Sequence, residues 1–231
     1  MPLGRTWDQR VKQWHTHVTS APAFDKVRAQ VIAMSAPERT DICVDLGAGT
    51  GFLATALAPL ARSVLAVDIS PEMMKSLAEE AKAAGLENVR AEVSDFRELS
   101  LEPGSVDLIV SNYALHHLSD TDKRLLIVRA AQWLRPGGRI VIADMMFGRG
   151  GSPRDRSILR QKVLALAAKG PGGWWRIARN LTRYSLGVGH EHPASPEFWQ
   201  DALRDAGFTD VVFEPVISEA GIVAGTATAL N

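Results

Sequence analysis

A doubly wound, mostly parallel α/β sheet is the fold class that this sequence predicts, and three observations predict it. Short runs that are apolar throughout alternate with amphipathic helical segments from Asp41 to Asp144. Strands of that kind are covered on both faces, as parallel sheets are. A glycine-rich turn, "VDLGAGTG", separates the first such run from the helix-like segment that follows it. Acids then end the second and third runs, at Asp68 and Asp95, on the sheet edge where open α/β folds bind ligands.

Each element has its own signal. Residues 1–40 read as an N-terminal helical lid, "WDQRVKQWHTHV" and "AFDKVRAQVIAM" being parted by Ser-Ala-Pro. "DICVDL" is a buried strand, "GFLATALAPLA" a helix entered from the glycines, and "SVLAVD" a second strand. In "SPEMMKSLAEEAKAAG", Ser70 caps a helix, Pro71 opens its first turn, Glu72 faces the positive dipole end and Gly85 closes it. "NVRAEVSD", "SVDLIVSN" and "RIVIAD" supply further strands, the last preceded by the helix "SDTDKRLLIVRAAQWL" and an Arg-Pro-Gly-Gly stop. The rhythm breaks after Asp144. Residues 146–192 read as an inserted basic and aromatic helical cap. From Ser195 a helix, "SPEFWQDALRDAG", and two strands, "TDVVFEPVI" and "GIVAGTATAL", return to the sheet. Residues 41–145 and 193–231 therefore form the sheet domain.

Composition excludes several classes. The 231 residues carry no net charge, which argues against a nucleic-acid partner. No apolar run approaches the ~20 residues that span a bilayer, and the amino terminus lacks a secretory apolar core, so a cytoplasmic location is expected. Cys43 is the only cysteine, which leaves no intramolecular disulfide and no thiolate zinc cluster. Charge is nevertheless uneven: from Arg149 to Arg183 the only acid is Asp155, among nine basic residues.

The glycine turn lets backbone approach a ligand closely and offers it free N–H groups. A dinucleotide fingerprint, Gly-x-Gly-x-x-Gly, would place its third glycine where Phe52 stands, and no Gly-Lys-Ser/Thr follows. The turn therefore suits a nucleoside without a pyrophosphate. Asp68 stands where a carboxylate takes ribose hydroxyls. Asp95 can accept the adenine amino proton while the Phe96 ring covers the base, unless that ring belongs to the core. Asp45 either braces the turn or touches ligand. Acids at three successive strand ends, with no lysine among them, suit a positively charged ligand. Met73 and Met74 read as packing more readily than as recognition.

These residues resemble the class I S-adenosylmethionine-dependent methyltransferases. "VDLGAGTG" looks like that family's glycine motif, "VLAVDIS" its ribose-acid motif and "VSDF" its adenine motif. "VDLIVSNYALHHL" and "LRPGGRIVIAD" resemble its fourth- and fifth-strand motifs, and the closing "AGF" with two strands resembles its terminal hairpin. The resemblance implies a seven-strand sheet whose last strand is antiparallel. It implies that Gly47, Ala48, Gly49 and Gly51 border the methionine and ribose moieties. It also implies that Asp68 takes the ribose hydroxyls, that Ile69 and Met73 pack near adenine, that Asp95 and Phe96 read its edge, and that Asn112 meets the methionine end.

Methyl transfer needs alignment above all, and a base only where the acceptor holds its proton at neutral pH. "NYALHHL" offers His117 first, then Tyr113 and His116, as base or acceptor-orienting groups. The alternative is that the histidine pair has no such duty. His190, Glu191 and His192 in "GHEHP" read as a solvated turn rather than a metal site, as no converging carboxylate cluster accompanies them. In the cap, "SILRQKVLALAAK" and "WWRIARNLTRY" form amphipathic basic helices, with Trp174 and Trp175 as a flat apolar surface. They either close over a small hydrophobic, aromatic or anionic acceptor, or lie on anionic membrane to reach a lipid, isoprenoid or quinone. The plain alternative is a solvated basic face. A rival of another class is a non-catalytic protein that binds S-adenosylmethionine. The acceptor atom (O, N or C) and the oligomeric state are not written in the sequence.

Overall fold

The alternation of burial along each strand assigns its side chains to two cores, one on each face of a single sheet. The computed structural model describes residues 22–148, 152–168, 170, 172, 191–217 and 219–229. In β1 (Ile42–Leu46), Val44 and Leu46 join one core while Cys43 joins the other. In β5 (Leu134–Met145), Ile140 and Ile142 divide from Val141 and Ala143 in the same way. Both faces being apolar is what a sheet sandwiched between helix layers requires.

Seven strands form the sheet in the order β3-β2-β1-β4-β5-β7-β6, with β2 (Ser63–Asp68), β3 (Val89–Val93), β4 (Val106–Asn112), β6 (Phe208–Ile217) and β7 (Ala220–Ala227). β1 through β5 pair in parallel; β7 runs antiparallel to both β5 and β6. The expected architecture is therefore present, terminal hairpin included. The order reverses direction at β1, whose neighbours are β2 and β4, and a crevice opens there at the strands' carboxyl ends.

Helices α1 (Pro22–Ser35), α2 (Ala54–Leu57) and α3 (Pro71–Ala83) cover one face through Val27, Val31, Leu57, Met74 and Leu77. Helices α4 (Asp120–Trp133) and α6 (Pro196–Asp205) cover the other through Leu126, Ile127, Trp199 and Leu203. Helix α5 (Pro153–Ala167) lies within the inserted stretch. Three helices begin on the serine caps their sequences advertise: Ser70 Oγ accepts from Met73 N–H, Ser119 Oγ from Asp122 N–H and Ser195 Oγ from Phe198 N–H.

Two elements differ from expectation. The helix after the glycines is a single α-turn continued as a 3₁₀ turn over Ala58–Leu60, because Pro59 cannot sustain an α-helix across its own ring. β5 starts at Leu134, before the Arg-Pro-Gly-Gly that was read as a stop. Helix α1 is tied down where Arg139, on β5, donates from Nε to the Ser35 carbonyl and from Nη2 to the buried Asp41 carboxylate, at 2.9 and 2.5 Å.

Candidate active site

A cleft of about 840 Å3, counted to its open mouth, lies along the carboxyl ends of β1, β2, β3 and β4. Gly47, Gly49, Asp68, Ile69, Met73, Asp95, Phe96, Asn112, Tyr113 and His117 all line it. Ala48, Gly51, Asp45 and His116 do not, and each has a structural task instead.

The turn is built from β1 outward. Gly47 and Ala48 N–H both donate to the Val67 carbonyl, at 2.8 and 3.0 Å, which folds the chain back over β2. Gly47 stands at φ +77°, and a Cβ there would lie 2.2 Å from the Ala114 Cβ. Only glycine leaves the cleft floor open at that point. Gly51 has another reason: its missing Cβ would lie 2.9 Å from Leu77 Cγ, so it admits α3 against the turn. Asp68 sits at the rim with Oδ2 accepting from Gly49 N–H at 3.0 Å and Oδ1 from Ser70 N–H at 2.9 Å. It thus shapes the turn while lining the cleft.

Asp45 is 1% exposed beneath the turn. Burial lifts its carboxyl to about 7; a bond from the Ala54 N–H opposes the rise and the Asp68 charge adds to it. Its Oδ2 has no hydrogen-bond partner, and neither has the buried Asn112 Oδ1. Asn112 lines the cleft, so its orphaned acceptor, costly while unmet, is one that a donor-bearing ligand there would satisfy. A cofactor with a sulfonium and an ammonium group supplies such donors and charge, so the residues fit it. Among the lining residues the sole Lys or Arg side chain is that of Arg97, and it is committed to Asp95.

At the far end, Asp95 carries a bidentate ion pair with Arg97 that its sequence position did not announce. The Arg97 guanidinium holds the carboxyl below its ordinary range. Phe96 answers both descriptions, lining the cleft while packing on the core. Met73 likewise is 2% exposed and touches the cleft.

β4 ends in a strained corner. Tyr113 is in the left-handed region at φ +52°, and its N–H donates to the Ala143 carbonyl at 2.9 Å. Burial, then the Glu219 and Asp144 charges, push its phenol above its usual range. A 3₁₀ turn over Leu115–His117 then separates the histidine pair. His117 faces the cleft. His116 turns the other way: its ring Nδ1 meets Asp144 Oδ1 at 2.6 Å and its backbone N–H meets Asp144 Oδ2 at 2.8 Å. The two rings stay in contact, with centroids 4.0 Å apart. The His116 carbonyl also receives the His192 N–H, which ties residues 191–193 to this corner. Lys123, fully buried, donates to the His192 carbonyl and to Asp120.

Ser94, Arg97, Ala114, Leu118 and Asp122 complete the lining and were not anticipated. Arg97 had a readable signal, two residues past a strand-end acid; Ala114 had none, because only the fold brings it against Gly47. His15, His17, His190, Trp174, Trp175, Arg176 and Arg179 lie outside the described residues. No helix among the described residues is long and apolar enough to cross a membrane.

Comparison with known proteins agrees with this geometry. Residues 43–138 match the model of a methyltransferase domain. An uncharacterized methyltransferase of Geobacillus thermodenitrificans is 32% identical over 178 residues, 73% of this chain and 77% of that protein. Phosphoethanolamine N-methyltransferase 1 of Triticum aestivum is 33% identical over 129 residues, 55% of this chain and 26% of that one. The structure of an S-adenosylmethionine-dependent methyltransferase from Aquifex aeolicus superposes with a TM-score of 0.65 at 17% identity, over 96% of this chain and 98% of that one. The sheet order, the glycine turn beneath an acid-rimmed cleft and the relatives agree: this chain belongs to the class I S-adenosylmethionine-dependent methyltransferases.

Proposed function

We propose that this methyltransferase, which acts on a small molecule, takes a hydrophobic or aromatic acceptor or one bearing an anionic group, with Tyr113 and His117 at the reacting end. The observation that carries the reading is the Tyr113 ring, which lines that end of the cleft and is backed by two further rings outside the lining. The Tyr113 ring lies 5.1 Å from Phe24, which meets Phe52 edge-on at 6.3 Å. A cleft-lining tyrosine ring held in this way suits a flat apolar acceptor. The wheat relative, named for a phosphorylated amine, supports the anionic variant, for which Arg176 and Arg179 of the cap are the candidate partners.

S-Adenosylmethionine would supply an electrophilic methyl carbon on a sulfonium; Gly47 and Asn112 would hold its methionine end and Asp68, Ile69, Met73, Asp95 and Phe96 its nucleoside end, with Asp45 bracing the turn from beneath. The side chains then align and deprotonate. Tyr113 stays protonated and donates a hydrogen bond to the acceptor. His117 accepts a proton where the acceptor carries one. His116, held by Asp144, orients the His117 ring. Screening aromatic, phosphorylated and carboxylated acceptors by release of S-adenosylhomocysteine tests the reading. With an acceptor in hand, His117→Gln is expected to lower kcat by about 100-fold or more, the usual weight of a general base, with cofactor affinity unchanged. Replacing Arg176 and Arg179 by alanine should raise acceptor KM alone.

One observation favours a second setting. On α5, Arg156 and Arg160 are exposed one and two turns before the exposed Val163 and Leu164. A basic-then-apolar stripe of this kind suits an anionic membrane surface and a lipid or isoprenoid acceptor. Co-sedimentation with anionic vesicles at moderate salt would support it; no pelleting would remove it.

A further inference from the structure

Three N–H groups of Arg97 are already spent on the Asp95 carboxylate. Arg97 donates from Nε to Oδ1 at 3.0 Å and, shared, to Oδ2 at 3.2 Å, from Nη2 to Oδ2 at 2.6 Å, and its backbone N–H adds a bond to Oδ1 at 2.9 Å. The chain beneath is pinned in turn, since Arg129 Nη1 donates to the Phe96 and Arg97 carbonyls at 2.8 and 3.0 Å. Glu98 and Leu99 N–H close on the Asp95 carbonyl, both at 2.9 Å. Three donor hydrogens, that of Nε shared between both oxygens, meet about four lone-pair positions, so room for about one further donor is left to a ligand.

That position calls for a donor, because a ligand carbonyl oxygen there would meet like charge. Arg97 also lines the cleft and keeps guanidinium N–H groups beyond those it spends on Asp95. The wall therefore sets one acceptor beside several donors. Adenine offers the complement in its 6-amino group and ring N1. A 6-oxo purine, with a carbonyl at C6 and a proton on N1, offers the reverse.

We propose that Arg97 is a positioning residue that makes the cleft select a 6-amino over a 6-oxo purine, by fixing the plane of the Asp95 carboxylate at the adenine edge. The proposal rests on Asp95 marking the nucleoside end of the cleft. Arg97 is 58% exposed against 17% for Asp95, so removing its guanidinium leaves no buried cavity. Its effect belongs to recognition and not to folding.

Calorimetry on the full chain tests this with two ligands, S-adenosylhomocysteine and its 6-oxo counterpart S-inosylhomocysteine. Wild type should favour the first by on the order of 100-fold, and Arg97→Gln should shrink that ratio by roughly ten-fold, the weight of one charge-assisted contact. Arg97→Lys, which keeps charge but not the planar fork, should fall between. S-Adenosylhomocysteine binding to Arg97→Gln should also begin to weaken at a higher pH than in wild type as pH falls below 5, because Asp95 without its Arg97 partner takes up its proton sooner. A merely structural role would leave both ratio and pH profile alone. An unchanged ratio in Arg97→Gln, with the ratio lost in Asp95→Asn, overturns the role of Arg97. An unchanged ratio and affinity in Asp95→Asn itself would show that the purine lies elsewhere, removing the underlying placement and the proposal with it.

Discussion

Asp45 and Gly47 sit two residues apart and answer to opposite constraints. Asp45 is a carboxyl kept from water, raised from 3.8 to about 7 mainly by burial. The folded chain therefore binds its proton more tightly than the unfolded chain does. Its contribution to stability is complete below about pH 4 and disappears as pH climbs through about 7. The melting temperature of the ligand-free enzyme should decline between pH 5 and pH 8, and Asp45→Asn should flatten that decline; parallel slopes would contradict the assignment. Gly47 is constrained by space and by backbone sign. Gly47→Ala sets a Cβ against Ala114 at a positive φ, a combination expected to cost ~1–3 kcal/mol or more and to abolish cofactor binding. Adding Ala114→Gly should recover part of the stability, since it removes the clash and leaves the strained φ. Cys43, its thiol pushed up to about 12 chiefly by burial, should resist alkylation in the native state.

At the scale of elements, the corner after β4 and the return of the inserted stretch are coupled through few groups. His116 holds Asp144 with its ring and His192 with its carbonyl, while Lys123 reaches the His192 carbonyl from α4. Lys123 also faces the Phe198 and Trp199 rings of α6, at 5.6 and 5.9 Å from their centroids. A buried ammonium with these partners fastens α4, α6 and the chain at 191–193 together. Lys123→Met keeps the bulk and orphans the His192 carbonyl, which should cost ~1–3 kcal/mol. Hydrogen exchange should then quicken around residues 191–194 and in α6, leaving the β1–β2 pair protected; uniform loss across the sheet would show that no local fastening existed.

For the whole molecule, the two-faced core places the cleft. Helix layers cover both sheet faces, so the ligand is left the edge where strand order reverses. Binding there stabilises only the folded chain. S-Adenosylhomocysteine at about 100 times its Kd should add ~2.7 kcal/mol to the unfolding free energy, read as a rise in melting temperature. The protection it confers should concentrate in residues 94–97, 112–114 and 117–118, which line the cleft.

Strand runs, glycine turn, serine caps and strand-end acids were all legible in the sequence, because each is a local pattern with a local physical cause. Periodicity alone separates a strand buried on both faces from an amphipathic helix, and Ser70, Ser119 and Ser195 cap within three residues of themselves. What the chain does with adjacent, chemically alike residues was decided only in three dimensions. His116 and His117 are neighbours of one type, yet a 3₁₀ turn sends one to the buried Asp144 and the other to the cleft. Ala114 against Gly47 and Phe24 against Tyr113 join segments far apart in sequence, and Asp144 and Glu219 shift the Tyr113 phenol from two different strands' ends. Such contacts depend on how distant pieces of backbone meet, and a one-dimensional pattern carries no record of that meeting.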